Sequence, residues 1–155
     1  ILAGTSVDKR RLELGREFGA DYTVNVDEKP LIESVAEITS GEMSDVTIFT
    51  TGSVRAISDA PRLARPMGTI VIPGLTGGKT VPLPTDEIVT KELRILGGLG
   101  QAWNVKAAVR LLEEQKYPVK KMATHILPLE EAERGLRLAA NEIEGEDPIK
   151  VVLTP

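Results

Sequence analysis

One stretch constrains this chain more than any other. Residues Gly68–Thr76 read Gly-Thr-Ile-Val-Ile-Pro-Gly-Leu-Thr. Three consecutive β-branched apolar residues, Ile70, Val71 and Ile72, follow a glycine and run into Pro73-Gly74. A short continuous apolar run bounded by breakers predicts a strand buried on both faces. Proline has no N–H to give to a ladder, so Pro73 marks where pairing stops. Gly74 lets the backbone turn and lets another group come close. Ligands of open parallel sheets sit beyond the carboxyl ends of strands, so Pro73, Gly74 and Leu75 form a candidate ligand-facing edge. The plainer alternative is a buried strand followed by an ordinary turn.

The rest of the chain repeats the theme. Strands are predicted at Ile1–Thr5, Tyr22–Val26, Asp45–Gly52, Gly68–Gly74, Leu93–Leu99 and Ile149–Leu153, with short extended pieces at Thr80–Leu83 and Thr124–Leu127. Helices are predicted at Val7–Gly19, from Pro30 to Gly41, at Val54–Leu63 stopped by Pro66, and at Thr85–Lys91. Two more carry clear apolar stripes: Val105, Ala108, Val109 and Leu112 behind an Asn104 cap, then Leu129, Ala132, Leu136 and Ala139. Strand and helix alternate through Leu99, which predicts an α/β fold with a parallel sheet covered by helices.

Bulk properties exclude several functions. The chain has 155 residues, 41% of them hydrophobic and only 3% aromatic, so one aliphatic core is expected. A net charge of −4 without a clustered basic face argues against nucleic acid as a partner. The longest apolar runs fall far short of the ~20 residues a membrane helix needs, so no membrane is expected either. No signal-peptide pattern opens the chain, which makes the cytoplasm the expected compartment. With no cysteine and a single histidine, His125, a Cys/His zinc site cannot be assembled from these residues. Ser, His and Asp are all present, but no nucleophile-elbow sequence frames any serine, which argues against a hydrolase. The opening Ile1-Leu2-Ala3-Gly4-Thr5 reads as the middle of a buried strand, and the expectation is a piece of something longer.

An ordered set of short motifs spans nearly the whole chain. It comprises Ile1–Asp21 with its Glu17-Phe18-Gly19-Ala20-Asp21 end, Asp45–Ser53, Gly68–Leu75 and Lys91–Gly98. Thr124–Leu129 and the closing Ile149–Leu153 complete it. The set resembles the C-terminal part of zinc-type alcohol dehydrogenases, of the medium-chain dehydrogenase/reductase superfamily. The resemblance implies a Rossmann-like doubly wound parallel sheet lacking its first strand and glycine-rich turn in this chain. It divides the chain into a partial NAD(P)-binding Rossmann domain, residues 1–99, and a segment, residues 100–155, returning to a GroES-like catalytic domain that these residues do not include. No G-x-G-x-x-G is present, and Gly97-Gly98-Leu99-Gly100 follows the wrong strand for that role. In the strand order 3-2-1-4-5-6, strand 1 lies between the strands read at Ile1–Thr5 and Asp45–Thr51. Without it, two buried strands present open edges. Isolated expression is therefore expected to aggregate or to need the absent N-terminal half.

The resemblance also implies roles for residues. Ser6 stands where many NAD-binding relatives carry an acid that holds the adenosine ribose. Asp8 is a possible substitute, whereas Lys9, Arg10 and Arg11 would favour NADP, so the choice of NAD or NADP stays open. Solvated helix surface is the alternative reading of these charges. Thr50, Thr51 and Gly52 would line the adenosine or ribose side. Pro73, Gly74 and Leu75, with Gly98, Leu99 and Gly100, would border the nicotinamide through backbone groups. Lys150 stands where relatives often place an Arg on the cofactor phosphates, and Lys keeps the charge without the bidentate fork. His125 falls in a structural turn away from zinc, and Trp103, just past the glycine cluster, reads as packing or as facing a substrate cleft. No catalytic residue and no metal ligand is expected in this chain.

Three functions remain. The first is an oxidoreductase that transfers hydride between an alcohol, polyol or sugar-like substrate and NAD(P), with zinc held by the absent half. The second is a zinc-independent quinone or enone reductase of the same superfamily. The third is a non-catalytic nucleotide-binding or interaction module. By resemblance a homo-oligomer is expected, joined at the Leu93–Leu99 edge strand.

Overall fold

The computed structural model describes residues 1–99 and 104–155. Gly100 and Trp103 lie outside the described residues. By spatial contact the chain falls into two compact units, one of residues 1–26 with 104–155 and one of residues 27–103.

The second unit holds the three strands around which the fold is built. They are β3 (Ser44–Ile48), β4 (Ala64–Ile72) and β5 (Arg94–Gly97), all parallel and in the order β3-β4-β5. Helices α2 (Leu31–Ile38), α3 (Val54–Ser58), α4 (Ala60–Leu63) and α5 (Thr85–Thr90) make the connections. Register puts Thr47, Ile70 and Ile95 side by side. Ile70 is fully buried in a cluster with Val35, Phe49, Ile57, Ala60, Leu63 and Ala64. Burial of each large aliphatic side chain there contributes roughly 1.5–3 kcal/mol. Side chains alternate along a strand, so Val46, Ile48, Val71 and Leu96 share the opposite face. Val46, Ile48 and Leu96 are exposed there, although parallel sheets ordinarily have both faces covered.

Three expectations for this unit need correction. The helix expected over 54–63 is two helices, because Pro61 cannot continue one; it sits in the first turn of a fresh helix after Asp59. The strand expected from Gly68 starts at Ala64 and runs through Pro66. This is possible because the register slips between Ser44↔Ala64 and Val46↔Thr69. Pro66 and Met67 (φ 60) fall in that bulge, where no ladder N–H is needed from proline. The piece expected at Thr80–Leu83 is not a strand; Val81 and Leu83 instead pack against the core cluster from a proline-punctuated loop.

The first unit pairs β1 (Leu2–Gly4) with β2 (Thr23–Asn25) and β6 (Ala123–Pro128) with β7 (Lys150–Thr154), both pairs parallel. A 3₁₀ turn at Ser6–Asp8 leads into α1 (Lys9–Glu17), and α6 (Val105–Glu113) and α7 (Ala132–Ala139) follow later. Asn104 occupies the N-cap position of α6, but its side chain makes no capping bond. The α7 stripe expected at Leu129, Ala132, Leu136 and Ala139 is not the packing face: Leu129 and Leu136 are exposed, while Gly135 and Leu138 are buried. A Cβ at Gly135 would lie 3.1 Å from Leu153 Cδ2, 3.5 Å from Val151 Cγ1 and 3.6 Å from Leu127 Cδ1, so α7 comes close to β6 and β7 at this residue and a large side chain there has no room.

Among the described residues β1 pairs only with β2, and β3 only with β4. Each therefore has one edge without a strand partner.

Candidate functional site

The carboxyl ends of β3, β4 and β5 all point one way because the strands are parallel. The sequence places a small-residue turn after each. Phe49, still buried, donates its N–H to Val71 O (2.9 Å) and accepts from Gly74 N (3.2 Å), which carries the β3–β4 pairing past the strand ends. Beyond it the two turns abut, backbone against backbone. A Cβ on Gly52 would stand 2.3 Å from Leu75 O, and one on Gly74 would stand 2.4 Å from Thr51 O. Both glycines are thus required by the approach of one turn to the other, whatever else comes near. Gly98 N donates to Ile72 O (3.4 Å) and ties the third turn to the same rim. Thr50, Thr51 and Gly52 are exposed, as are the Leu75 and Leu99 side chains. Thr51 Oγ1 accepts from Ser53 N (3.1 Å) and keeps its O–H as a donor. The rim therefore offers hydroxyls, backbone groups and two exposed apolar side chains. It holds no acid or base among Thr50–Gly52, Pro73–Leu75 and Gly98–Leu99.

The remaining expected residues lie in the first unit, where several are engaged locally. The Asp8 carboxylate Oδ2 accepts from Thr5 N (2.9 Å) and Thr5 Oγ1 (2.7 Å), closing the turn at the end of β1. Its other oxygen faces Arg11 Nη1 at 3.7 Å. Ser6 Oγ meets the Asn25 amide, with Asn25 Nδ2 at 3.2 Å. Asn25 had no place in the sequence reading; its position as the last residue of β2 was the available signal. Arg10 Nη1 donates to Asp147 O (2.9 Å), and Arg11 Nη2 donates to Pro148 O (2.6 Å) while its Nη1 stands 3.5 Å from Asp147 Oδ1. Lys9 is exposed and makes none of these contacts. Lys150 opens β7, exposed, paired in register with Ala123.

His125 has both ring nitrogens occupied. Nδ1 meets Thr124 Oγ1 at 2.9 Å and Nε2 meets Glu146 Oε2 at 3.1 Å. Among the described residues no group of three His, Cys, Asp or Glu side chains is placed to hold a metal ion. A zinc centre therefore does not fit the residues described. None of the helices described is long and apolar enough to cross a membrane.

Parallel strands joined by helices, with small-residue turns gathered at their carboxyl ends, define a dinucleotide-fold architecture of the Rossmann type. The chain matches the zinc-binding dehydrogenase family over residues 2–114 and belongs to it. It is 39% identical over 151 residues to a probable alcohol dehydrogenase of Mycobacterium tuberculosis, covering 96% of this chain and 41% of that protein. It is 31% identical to a sorbitol dehydrogenase of Halalkalibacterium halodurans, over all of this chain and 44% of that one. Among solved structures, an alcohol dehydrogenase of Thermotoga maritima superposes with a TM-score of 0.86 at 28% identity, over 99% of this chain and 42% of that one. A structure from Escherichia coli, described as a short chain alcohol dehydrogenase complexed with NADH, superposes with a TM-score of 0.84 at 25% identity, over 99% of this chain and 43% of that one. The chain thus spans less than half the length of these relatives.

Proposed function

We propose that this chain supplies most of the coenzyme site of an oxidoreductase that moves hydride between an alcohol or polyol and NAD or NADP. The observation that carries the reading is the rim at the ends of β3, β4 and β5, where Gly52 and Gly74 let two turns abut and Thr50, Thr51 and Gly52 are exposed. Its support from relatives is the NADH in the Escherichia coli structure and the alcohol and sorbitol dehydrogenases among the relatives. A nicotinamide coenzyme supplies the hydride acceptor or donor. This chain's residues bind and orient it. Backbone groups of Pro73–Leu75 and Gly98 fix the carboxamide and hence which ring face is presented, and Leu75 and Leu99 give it an apolar border. Thr50 and Thr51 supply hydroxyls toward the ribose side. Ser6 at the end of β1 takes no charge to the adenosine ribose, and Lys150 brings a cation toward the phosphates. Zinc, where the whole protein uses it, is held by residues outside this chain, and no catalytic group is assigned here. The whole protein is a cytoplasmic homo-oligomer.

The test uses the intact polypeptide. Titration with NADH and NADPH, metal analysis, and oxidation of an alcohol and polyol panel with and without a chelator are expected to show coenzyme binding and chelator-sensitive turnover. Coenzyme binding with reduction of enones or quinones and no bound zinc would favour the zinc-independent reductase. Absence of any dinucleotide binding would overturn the proposal and leave an interaction module.

A further inference from the structure

Four successive residues in the turn before β7 are each tied to a neighbouring element, an arrangement that packing of an ordinary surface loop does not require. Glu146 meets His125 Nε2 from β6 at 3.1 Å. Asp147 accepts at its carbonyl from Arg10 Nη1 (2.9 Å), and its carboxylate stands 3.5 Å from Arg11 Nη1. Pro148, which is buried, accepts at its carbonyl from Arg11 Nη2 (2.6 Å). Ile149 N donates to Thr124 Oγ1 (3.0 Å). Residue 150 is the next in the chain. The ties of two of these four residues, Asp147 and Pro148, come from Arg10 and Arg11 in the first turn of α1, which directly follows the 3₁₀ turn Ser6–Asp8.

We propose that Arg10 and Arg11 act as positioning residues for Lys150. They clamp the Asp147–Pro148 turn to α1, so that the cation opening β7 is held at a set place relative to the end of β1. This rests on the reading that Lys150 meets the phosphates of the dinucleotide. The geometry runs against the other use of these arginines, as holders of a 2′-phosphate. Arg10 already gives Nη1 to Asp147 O, and Arg11 gives Nη2 to Pro148 O with Nη1 beside the Asp147 carboxylate, so a phosphate gripped by both terminal nitrogens of either guanidinium would have to displace a carbonyl bond. A flexible lysine gains most from such a clamp, because its ammonium is a point charge on a long stem whose freedom must be lost on binding.

The distinguishing feature is thermodynamic coupling. In the intact protein, dissociation constants for NADH and NADPH are measured by nucleotide fluorescence for wild type, Lys150→Met, Arg11→Met, the double variant, and Asp147→Asn. Lys150→Met is expected to weaken both nucleotides. Arg11→Met is expected to weaken both by the same factor, roughly three- to tenfold, and to add little on top of Lys150→Met. Asp147→Asn keeps both arginines and the fold and is expected to give a smaller loss, about twofold, with the NADH to NADPH ratio unchanged. A loss confined to NADPH in Arg11→Met would make the arginine a 2′-phosphate contact and overturn the proposal. Losses that simply multiply in the double variant, or no loss in Arg11→Met, would overturn it as well. If Lys150→Met leaves both nucleotides as tightly bound as wild type, the clamp proposal falls with the phosphate role of Lys150, while the coenzyme reading of the chain stands.

Discussion

Replacing Gly74 by alanine probes one of the tightest backbone approaches at the candidate site. The new Cβ would stand 2.4 Å from Thr51 O, 2.8 Å from Thr51 C and 3.0 Å from Phe49 O. All three are backbone atoms, so no side-chain rotation relieves the overlap. Ordinary contact begins near 3.4 Å, and 3.4 − 2.4 means that the turn after β4 must retreat by about 1 Å. That retreat pulls on the Gly74 N–Phe49 O bond, already 3.2 Å long. Overpacking against an unyielding neighbour costs roughly 1–3 kcal/mol, and the hydrogen bond adds about 0.5–1.5 kcal/mol. Together they predict a loss of about 2–4 kcal/mol, with weaker dinucleotide binding because the rim itself has moved. Urea unfolding of the intact protein reads the first effect and NADH titration the second. Gly97→Ala is the matched control: it sits one strand over, and its Cβ would meet no described atom within 4 Å. Its stability is expected to stay within ~0.5 kcal/mol of wild type. A Gly74→Ala protein as stable as that control, with unchanged NADH affinity, would refute the argument that two abutting turns require glycine.

Other perturbations follow from single contacts. Lys91 Nζ donates to Pro61 O (3.0 Å) and Ala64 O (3.2 Å) and pairs with Glu87 (3.1 Å), closing the end of α4. Lys91→Met should cost about 1–2 kcal/mol in urea unfolding, and a neutral result would show that water replaces the ammonium without loss. Gly135→Ala meets only the flexible tip of Leu153 at 3.1 Å and gains helix propensity of about 1 kcal/mol, so its stability should barely change. Gly135→Leu should lose roughly 1–3 kcal/mol, since Val151 and Leu127 stand behind that tip. Residues 1–155 expressed alone should aggregate, because among the described residues β1 and β3 each have an edge without a strand partner and Val46, Ile48 and Leu96 are exposed; a soluble monomer that unfolds cooperatively would refute this. Among the described residues β5 pairs only with β4, and the intact protein should sediment as a homo-oligomer, with Leu96→Lys shifting it toward monomer.

Much of the fold was legible because its signals are local. Ile70-Val71-Ile72 between Gly68 and Pro73 is a strand in the structure as expected, since β-branching and breakers act within a few residues, but only Ile70 is buried and Val71 and Ile72 are half-buried, so burial on both faces is not what the structure shows. Breakers misled where tertiary contacts override them. Pro66 stops nothing, because a bulge removes the need for its missing N–H, whereas Pro61, passed over in the reading, divides the helix. The packing face of α7 is set by Gly135 and Leu138, not by the Leu129–Leu136 stripe that helical periodicity favours. A helix that must come within contact of β7 packs through its smallest residue, and periodicity alone does not reveal that. Among the candidate site residues, the sequence could group Thr50–Gly52 with Pro73–Leu75 only as ends of separate strands. That Gly52 and Gly74 face each other's turns is a property of register.

Composition and order of motifs alone determined the parallel α/β class, the family and the exclusion of a Cys/His metal centre, because these depend on which residues are present and in what sequence. Only the tertiary structure decided what the charged residues near the end of β1 do. Lys9, Arg10 and Arg11 are equivalent cations when read along the chain. In space Arg10 and Arg11 reach residues 147 and 148 and Asp8 closes a turn on Thr5. Hydrogen bonds are satisfied by whatever the fold brings within about 3 Å, and a separation of 137 residues leaves no trace in local pattern.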